Sequence, residues 1–238
     1  MERRTLFGAA AVAGVAAAGL AAEPASATKG RRWSPDNPMR VQIVMFDGVE
    51  EQDFAGPFDV FSLADRQSGG AVKVGYVTPA EPRTITAAWG TQVVIPTGWS
   101  PSDADVIVVP GGGFGRPDGP GVWAEIKSGV LPRKLADAAD GHRLVASFCT
   151  GVIVVAAAGL VTGRPATTHQ NAKAELARRG GTVVDARVVD DRDLVTAAGV
   201  TSGLDLALHL VRREISAAVA VRVENILEYQ ARGTVWTP

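Results

Sequence analysis

The feature that most constrains the fold of this chain is a set of short apolar runs separated by longer amphipathic segments. Residues 41–46, 105–109 and 143–148 are almost wholly apolar, and residues 55–67 and 122–139 carry apolar side chains at helical spacing. Strands that are covered on both faces give continuous apolar runs of this kind, whereas half-exposed strands alternate. The pattern predicts an α/β fold, a three-layer sandwich in which a mostly parallel sheet lies between helices on both faces.

The size and charge of the chain narrow its class further. It has 238 residues, a formal net charge of -1 and a single cysteine. Residues 41–238 suit one domain, since single α/β domains run to roughly 200–250 residues. The charge does not indicate a nucleic-acid partner, and a lone cysteine excludes a disulfide within the chain. Because no metal-ligand spacing or dinucleotide fingerprint is present, we expect a small-molecule substrate and neither a metal nor another cofactor.

The N-terminal segment, residues 1–27, has the three-part plan of a signal peptide. Arg3 and Arg4 precede a stretch rich in Ala and Gly, and residues 25–27 form an Ala-Ser-Ala cleavage site. Paired arginines before a weakly apolar stretch favour the twin-arginine route. Residues 28–40 then form a polar leader. We expect an exported protein, secreted or periplasmic, with no stable membrane insertion after cleavage; the alternative is a retained anchor, for which the apolar stretch is short.

Ligands of parallel α/β sheets collect at the carboxyl ends of the strands, so the predicted strand ends hold the candidate site residues. After the first strand, Asp53 lies just before the predicted helix 55–67. Taken alone, an Asp in this place favours an N-cap. The functional alternative is a carboxylate that leans over the sheet edge toward a nucleophile.

A glycine run follows the strand at residues 105–109. Gly111, Gly112 and Gly113 allow the backbone to approach a ligand closely and to direct N–H groups at it. Such donors stabilise a developing negative charge. The alternative is a flexible turn, because a lone glycine run is a weak signal.

Cys149 follows the apolar strand 143–148 and stands directly before a small-residue helix. This arrangement resembles the sharp strand-to-helix turn that exposes a catalytic nucleophile, and Gly151 removes the side chain that would block the turn. A helix N-terminus favours the thiolate, and cysteines in such settings have pKa values of roughly 3.5–7.5 instead of about 8.5. We therefore predict that Cys149 is the nucleophile and is mostly thiolate at neutral pH, against the alternative of a small buried apolar residue.

His169 is the histidine best placed to serve the cysteine. It follows a short predicted strand and precedes a charged amphipathic helix, so it lies near the same sheet edge. A histidine that merely stands near a helix start remains the rival interpretation.

Four motifs occur in order along the chain and together resemble one family. They are residues 52–57 (QDFAGP), 109–112 (VPGG), 147–151 (SFCTG) and 166–169 (ATTH). The ordered set resembles the ThiJ/PfpI superfamily, which has a flavodoxin-like fold related to the class I glutamine amidotransferases. The Asp within the first motif and the Cys-Thr-Gly within the third are similar to those of the isonitrile hydratases and of the sensor domains of AraC-type regulators. Because the chain stops at Pro238, we expect no helix-turn-helix module after the domain.

The resemblance implies a cofactor-free hydration of an isocyanide to an N-formamide. Cys149 would form a covalent thioimidate with the substrate and Asp53 would act as general acid and then base. Thr150 and the backbone around Gly112 would orient the substrate and the sulfur, while His169 would shape the pocket. The family also implies a homodimer.

Two other functions remain open at this point. One is a different superfamily activity, an amidase, peptidase or glyoxalase-type enzyme. The other is a non-enzymatic redox or stress protein that uses Cys149 as a sensor, which an oxidising compartment would favour.

Overall fold

The computed structural model of the protein describes residues 33–139 and 143–238. The predicted signal peptide, residues 1–27, and the first part of the predicted leader lie outside the described residues. Within these ranges, no helix is both long enough and apolar enough to cross a bilayer.

The strands include the apolar runs identified in the sequence. In chain order they are β1 (Met39–Val44), β2 (Val72–Val77), β3 (Arg83–Thr86), β4 (Gln92–Ile95), β5 (Val106–Val109), β6 (Leu144–Phe148), β7 (Pro165–Ala166), β8 (Thr182–Val183), β9 (Val188–Asp191), β10 (Leu194–Ala197) and β11 (Val235–Trp236).

The helices fall between the strands. In chain order they are α1 (Glu51–Ser68), α2 (Val122–Ser128), α3 (Val130–Ala138), α4 (Gly151–Ala157), α5 (Lys173–Arg178), α6 (Ser202–Leu210) and α7 (Ala217–Leu227), with a π-helical turn at Val211–Ile215.

The central sheet has seven strands in the order β11-β9-β10-β6-β5-β1-β2, and β3 with β4 forms a separate hairpin. All neighbours in the central sheet are parallel except β9 and β10. The helices form two layers: α1 contacts α6 and α7 in one, and α2 to α5 contact one another in series in the other. The predicted three-layer α/β fold is therefore confirmed.

Burial explains why the inner strands read as continuous apolar runs. Every residue of β5 and β10 is buried, and β6 is buried from Val145 to Phe148. Side chains on both faces of these strands contact helices, so no face is left for polar residues.

Several element boundaries differ from the prediction. β1 begins at Met39, inside the predicted leader, and Met39 is fully buried. The predicted helix 122–139 is two helices, because Gly129 adopts a left-handed backbone conformation with φ 69° and ends α2. A π-helical turn at Val211–Ile215 separates α6 from α7.

Four neighbouring parallel strands, β10, β6, β5 and β1, position the candidate site. Their carboxyl ends meet at one edge of the sheet, since Ala197 pairs with Phe148 and Val109 pairs with Ser147. The loops after these strands therefore converge on the residue that follows β6, which is Cys149.

Candidate active site

Cys149 occupies a strained turn between β6 and α4. Its φ is 51°, a left-handed value that costs a non-glycine residue about 1–3 kcal/mol. Two loops hold it: the Cys149 amide donates to the carbonyl of Ala198 at 2.6 Å, and its carbonyl accepts from Thr168 Oγ1 at 2.6 Å and from the amide of His169 at 3.3 Å. The turn that the sequence predicted for a nucleophile is present, and tertiary hydrogen bonds stabilise it.

Gly151, the first residue of α4, permits this turn by close packing. A Cβ at this position would lie 2.4 Å from the carbonyl oxygens of both Val109 and Pro110. No side chain fits in that space, so the helix can start directly beneath the loop that follows β5 only with glycine here.

Asp53 lies in the first turn of α1 and is fully buried. Its N-cap interpretation is wrong, because the N-cap of α1 is Glu50. Asp53 Oδ2 accepts a hydrogen bond from the amide of Gly111 at 2.8 Å, and the carboxyl group is hydrogen-bonded to the Cys149 side chain. The structure thus brings together the two residues that the sequence predicted as acid–base group and nucleophile.

Thr150 and the glycine loop hold each other in place. Thr150 Oγ1 accepts a hydrogen bond from the amide of Gly112 at 3.0 Å. The amide of Gly111 already binds Asp53, so the N–H groups of Gly111 and Gly112 hold the side chains of Asp53 and Thr150 instead of pointing freely at a substrate. Gly112 and Gly113 do line the cavity described below, and Gly111 does not.

The electrostatic surroundings of Cys149 and Asp53 contradict the prediction of a lowered thiol pKa. Burial and the neighbouring Asp53 charge raise the pKa of the Cys149 thiol to about 12, outweighing the hydrogen bonds that the amides of Val200 and Thr150 offer to the sulfur. The predicted fall in the thiol pKa is wrong, because the sulfur lies away from water and beside a carboxylate.

The pKa of Asp53 is raised as well. Burial, with a small contribution from the charge of Glu50, raises the pKa of Asp53 to about 7 although the Gly111 and Cys149 hydrogen bonds favour its charged form. Two anions do not form side by side in a buried space, so above about pH 7 the pair carries one negative charge, with the proton on the sulfur. A carboxylate next to a protonated thiol is arranged to take the thiol proton when the sulfur attacks.

A cavity of about 210 Å³ opens on the sulfur. This volume is below the roughly 300–1,000 Å³ of sites that bind drug-sized ligands, so it suits a small substrate. The residues that line it are Glu50, Gly112, Gly113, Phe114, Gly115, Cys149, Thr150, His169, Asn171 and Val200.

His169 lines this cavity and is half-buried. Its Nδ1 accepts a hydrogen bond from the amide of Asn171 at 3.2 Å, and the ring packs on Gly199, where a Cβ would lie 2.5 Å from the imidazole. No hydrogen bond from the imidazole to Cys149 or Asp53 is present in the described part of the chain. His169 therefore lies in the wall of the cavity, and its role there stays a prediction.

Sequence reasoning missed two parts of the site. The loop after β10, residues 198–200, holds the amide of Cys149 and places Val200 in the cavity wall. Its signal was the Ala-Ala-Gly-Val sequence at the end of an apolar strand. Glu50, the N-cap of α1, also lines the cavity, and its nearness to Asp53 in sequence was the available signal.

No three His, Cys, Asp or Glu side chains converge as a metal site within residues 33–139 and 143–238. Besides Cys149, the polar side chains that line the cavity are those of Glu50, Thr150, His169 and Asn171, and His169 Nδ1 already accepts a hydrogen bond. The site is therefore organised around a thiol and a carboxyl group that share a proton.

Comparison with known proteins agrees with this fold. The family model of the DJ-1/PfpI family matches residues 39–213, and the chain belongs to this family. It is 33% identical over 193 residues to the isonitrile hydratase of Pseudomonas putida, covering 80% of this chain and 78% of that protein. It is 28% identical over 192 residues to the Parkinson disease protein 7 homolog of Danio rerio, covering 78% of this chain and 94% of the relative. A solved structure of a ThiJ/PfpI family protein from Pseudomonas syringae has a TM-score of 0.72 at 26% identity, covering 90% of this chain and 84% of the other.

Proposed function

We propose that the protein is a cofactor-free, cysteine-dependent hydratase that converts a small isocyanide into an N-formamide. The observation that carries the proposal is the buried Cys149–Asp53 pair, which shares one proton and opens on a cavity of about 210 Å³. Its similarity to an isonitrile hydratase, at 33% identity over most of both chains, supports the same reaction.

The first half of the reaction forms a covalent bond to sulfur. Asp53, ionised above about pH 7, takes the proton of the Cys149 thiol as the sulfur attacks the terminal carbon of R–N≡C. The protonated Asp53 then delivers this proton to the same carbon. The product is the thioimidate R–N=CH–S–Cys149, and Asp53 is again a carboxylate.

The second half adds water and releases the thiol. Asp53 removes a proton from water as the oxygen attacks the thioimidate carbon, and the protonated Asp53 then gives this proton to the nitrogen. The product is R–NH–CH(OH)–S–Cys149, and Asp53 is again a carboxylate. The C–S bond then breaks, and the hydroxyl proton passes through Asp53 to the sulfur. The sum is R–N≡C plus water giving R–NH–CHO, with Cys149 and Asp53 restored.

The test is an assay of the purified domain with a simple isocyanide, beside Cys149→Ala and Cys149→Ser. Infrared spectroscopy follows the isocyanide band, and liquid chromatography follows the N-formamide. We expect turnover in the wild type only, because alanine has no nucleophile and the serine hydroxyl is a much weaker one. Turnover by Cys149→Ala, or none by the wild type over a range of small isocyanides, contradicts the proposal.

The same pair weighs against an oxidation sensor. Oxidation of cysteine follows the fraction of thiolate, and the raised pKa of Cys149 keeps that fraction small at neutral pH. The hydratase needs no standing thiolate, because Asp53 removes the proton during the attack. Mass spectrometry under dilute peroxide, with a free model thiol as control, should therefore show slow oxidation of Cys149.

We further propose export by the twin-arginine route, supported by Arg3, Arg4 and the Ala-Ser-Ala at residues 25–27. Mass spectrometry of the exported protein should find Thr28 at its N-terminus. A double variant, Arg3→Lys with Arg4→Lys, should retain the precursor inside the cell. Recovery of intact residues 1–27 from the cytoplasm alone contradicts the proposal.

A homodimer is also proposed, as the family resemblance implies. Trp89 and Val94 on the β3–β4 hairpin are 81% and 74% exposed, whereas Trp99 packs against the core. Sedimentation should give twice the mass of one chain. Val94→Glu should weaken the association if the hairpin forms the interface, and Ile226→Glu if the exposed side of α7 does; a wild type with the mass of one chain contradicts the dimer.

A further inference from the structure

The described residues that line the cavity around Cys149 carry negative charge but no positive charge. Glu50 is the only carboxylate, and neither Lys nor Arg occurs, among the described residues that line it. The buried carboxyl group of Asp53 lies one helical turn after Glu50 and contacts the sulfur. A molecule that approaches the sulfur therefore meets acidic groups with no compensating cation in the wall.

Glu50 is held in place rather than free in solvent. Its backbone amide donates to the carbonyl of Gly111 at 2.9 Å, so the residue is anchored to the glycine loop. Its side-chain Oε1 accepts a hydrogen bond from the indole Nε1 of Trp89 at 3.0 Å.

Trp89 itself is unusual for a large aromatic residue, because it is 81% exposed. The backbone amide of Trp89 donates to the carboxylate of Glu51, the residue that follows Glu50, at 3.0 Å. The indole is therefore placed by hydrogen bonds to α1 and gains little from burial. One consequence of this placement is that the carboxylate of Glu50 is kept at the cavity.

We propose that Glu50 is the residue that selects substrates by charge, and that the cavity admits small electrophiles whose R group is neutral or carries an amine, but not a carboxylate. As a statement about isocyanides this rests on the proposed hydratase function; as a statement about access to Cys149 it does not. A cationic group is attracted to Glu50 and an anionic group is repelled by it.

The test uses Cys149 itself, which is the only cysteine of the chain. Two methanethiosulfonates of similar size are compared, one bearing a trimethylammonium group and one a sulfonate. Each forms a disulfide with the sulfur of Cys149 and releases methanesulfinate, so mass spectrometry gives both rates on the native protein. We expect the cationic reagent to react faster with the wild type.

Glu50→Gln should lower the cation-to-anion rate ratio by about tenfold, because a single charge near the sulfur changes each rate by about threefold and in opposite directions. A change in the reactivity of the thiol itself alters both rates equally and cancels in the ratio. Glu51→Gln is the matched control: it removes a charge from the adjacent residue, which does not line the cavity, and should change the ratio by less than about twofold.

Trp89→Phe gives a second arm, because it keeps an aromatic ring but removes the N–H that holds Glu50. The ratio should fall by an intermediate amount, about threefold. A ratio that is unchanged in Glu50→Gln, or that falls as far in Glu51→Gln, overturns the proposal.

A final arm compares kcat/KM for isocyanides of matched size that carry an amine or a carboxylate. The amine should be preferred, and Glu50→Gln should remove the preference. If no isocyanide is turned over, the hydratase proposal fails, while the ratios of the methanethiosulfonate rates still decide the charge selection on their own.

Discussion

Two buried aspartates of this fold, Asp53 and Asp190, have pKa values that are shifted in opposite directions. Both have little or no exposure to solvent. Among the residues that the structure describes, Asp53 contacts an amide and a thiol but no cation, and burial raises its pKa to about 7. Burial acts on Asp190 in the same sense, but the hydrogen bonds and charges of His209 and Arg213 outweigh it and lower the pKa of Asp190.

The partners of Asp190 account for this difference. Both of its oxygens accept from Arg213 at 2.8 and 2.9 Å, Oδ2 lies 2.6 Å from His209 Nε2, and Oδ1 accepts from the amide of Arg192. A fully paired carboxylate keeps its charge and contributes stability. An unpaired one gains a pKa near neutrality, which suits acid–base chemistry. Burial alone therefore does not distinguish the candidate acid–base carboxylate, Asp53, from Asp190; the presence or absence of a cation partner among the described residues does.

The largest effect that tests this comparison is on turnover. Asp53→Asn should reduce kcat by about 10²–10⁴-fold, because the amide still accepts from Gly111 but cannot take the thiol proton. Asp190→Asn is the matched control and should leave kcat within a few-fold. Steady-state kinetics on both variants, with circular dichroism to verify folding, decides between them; equal losses would mean that Asp53 is structural.

The pH profile of the wild type sharpens the same point. The reactive form has Asp53 ionised beside a protonated thiol, so kcat/KM should rise with pH through about 7 and then level off. This step should disappear in Asp53→Asn. A profile that instead keeps rising toward the pKa of the thiol would show that a free thiolate is required and that Asp53 is not the base.

Stability should also depend on pH in a way that Asp53 controls. Folding raises the pKa of Asp53 from about 3.9 to about 7, so between these values the folded state binds more protons than the unfolded state. The contribution of Asp53 to stability therefore falls as pH rises through this window, by up to about 4 kcal/mol. Urea unfolding at pH 4 and pH 7 should show Asp53→Asn gaining stability relative to the wild type on going to pH 7; a constant difference refutes the raised pKa.

The contribution of Asp190 to stability should depend on pH in the opposite sense to that of Asp53, and by a smaller amount. Asp190→Asn removes the carboxylate that accepts from Arg213 Nη1, while the ion pair of Arg213 with Glu214 remains, and should cost about 2–3 kcal/mol of unfolding free energy at pH 7. Because the pKa of Asp190 is lowered, its contribution is present at neutral pH and is lost as pH falls through its folded pKa. Urea unfolding of this variant should therefore approach the wild type in acid.

The smallest effect is expected for His209→Gln. The amide can still donate to Asp190, and the Arg213 ion pair remains, so the loss should be about 1 kcal/mol. Activity should not change, since His209 does not line the cavity. A loss of activity here would mean that the two regions are coupled.

Much of the fold could be predicted because its signals are local or periodic. Continuous apolar runs predicted the inner strands, and the rule that ligands gather at strand carboxyl ends placed Asp53 and Cys149 together. The sequence prediction was weakest where one or two residues determine where an element ends or which strand it pairs with. Gly129 divides α2 from α3, and β11 pairs with β9 through only two residues, Val235 and Trp236.

The residues that form the site were easier to predict from the sequence than the pKa values of its ionisable groups. The helix N-terminus at Cys149 suggested a thiolate, yet the sulfur is buried against Asp53 and its thiol pKa is raised. Val200 and Glu50 join the site from loops whose sequences carry no chemical signature by themselves. Their roles follow from which loops lie beside the end of β6.

The sequence by itself determined the α/β class, the strand-to-helix turn at Cys149 and the family, because these depend on residue pattern and on glycine at position 151. Only the tertiary structure decided how far the sulfur and the carboxyl group are removed from water, which charges lie beside them and which wall of the cavity carries Glu50. The pKa of a group depends on the atoms that surround it in space, and here those atoms come from segments that are far apart in the chain.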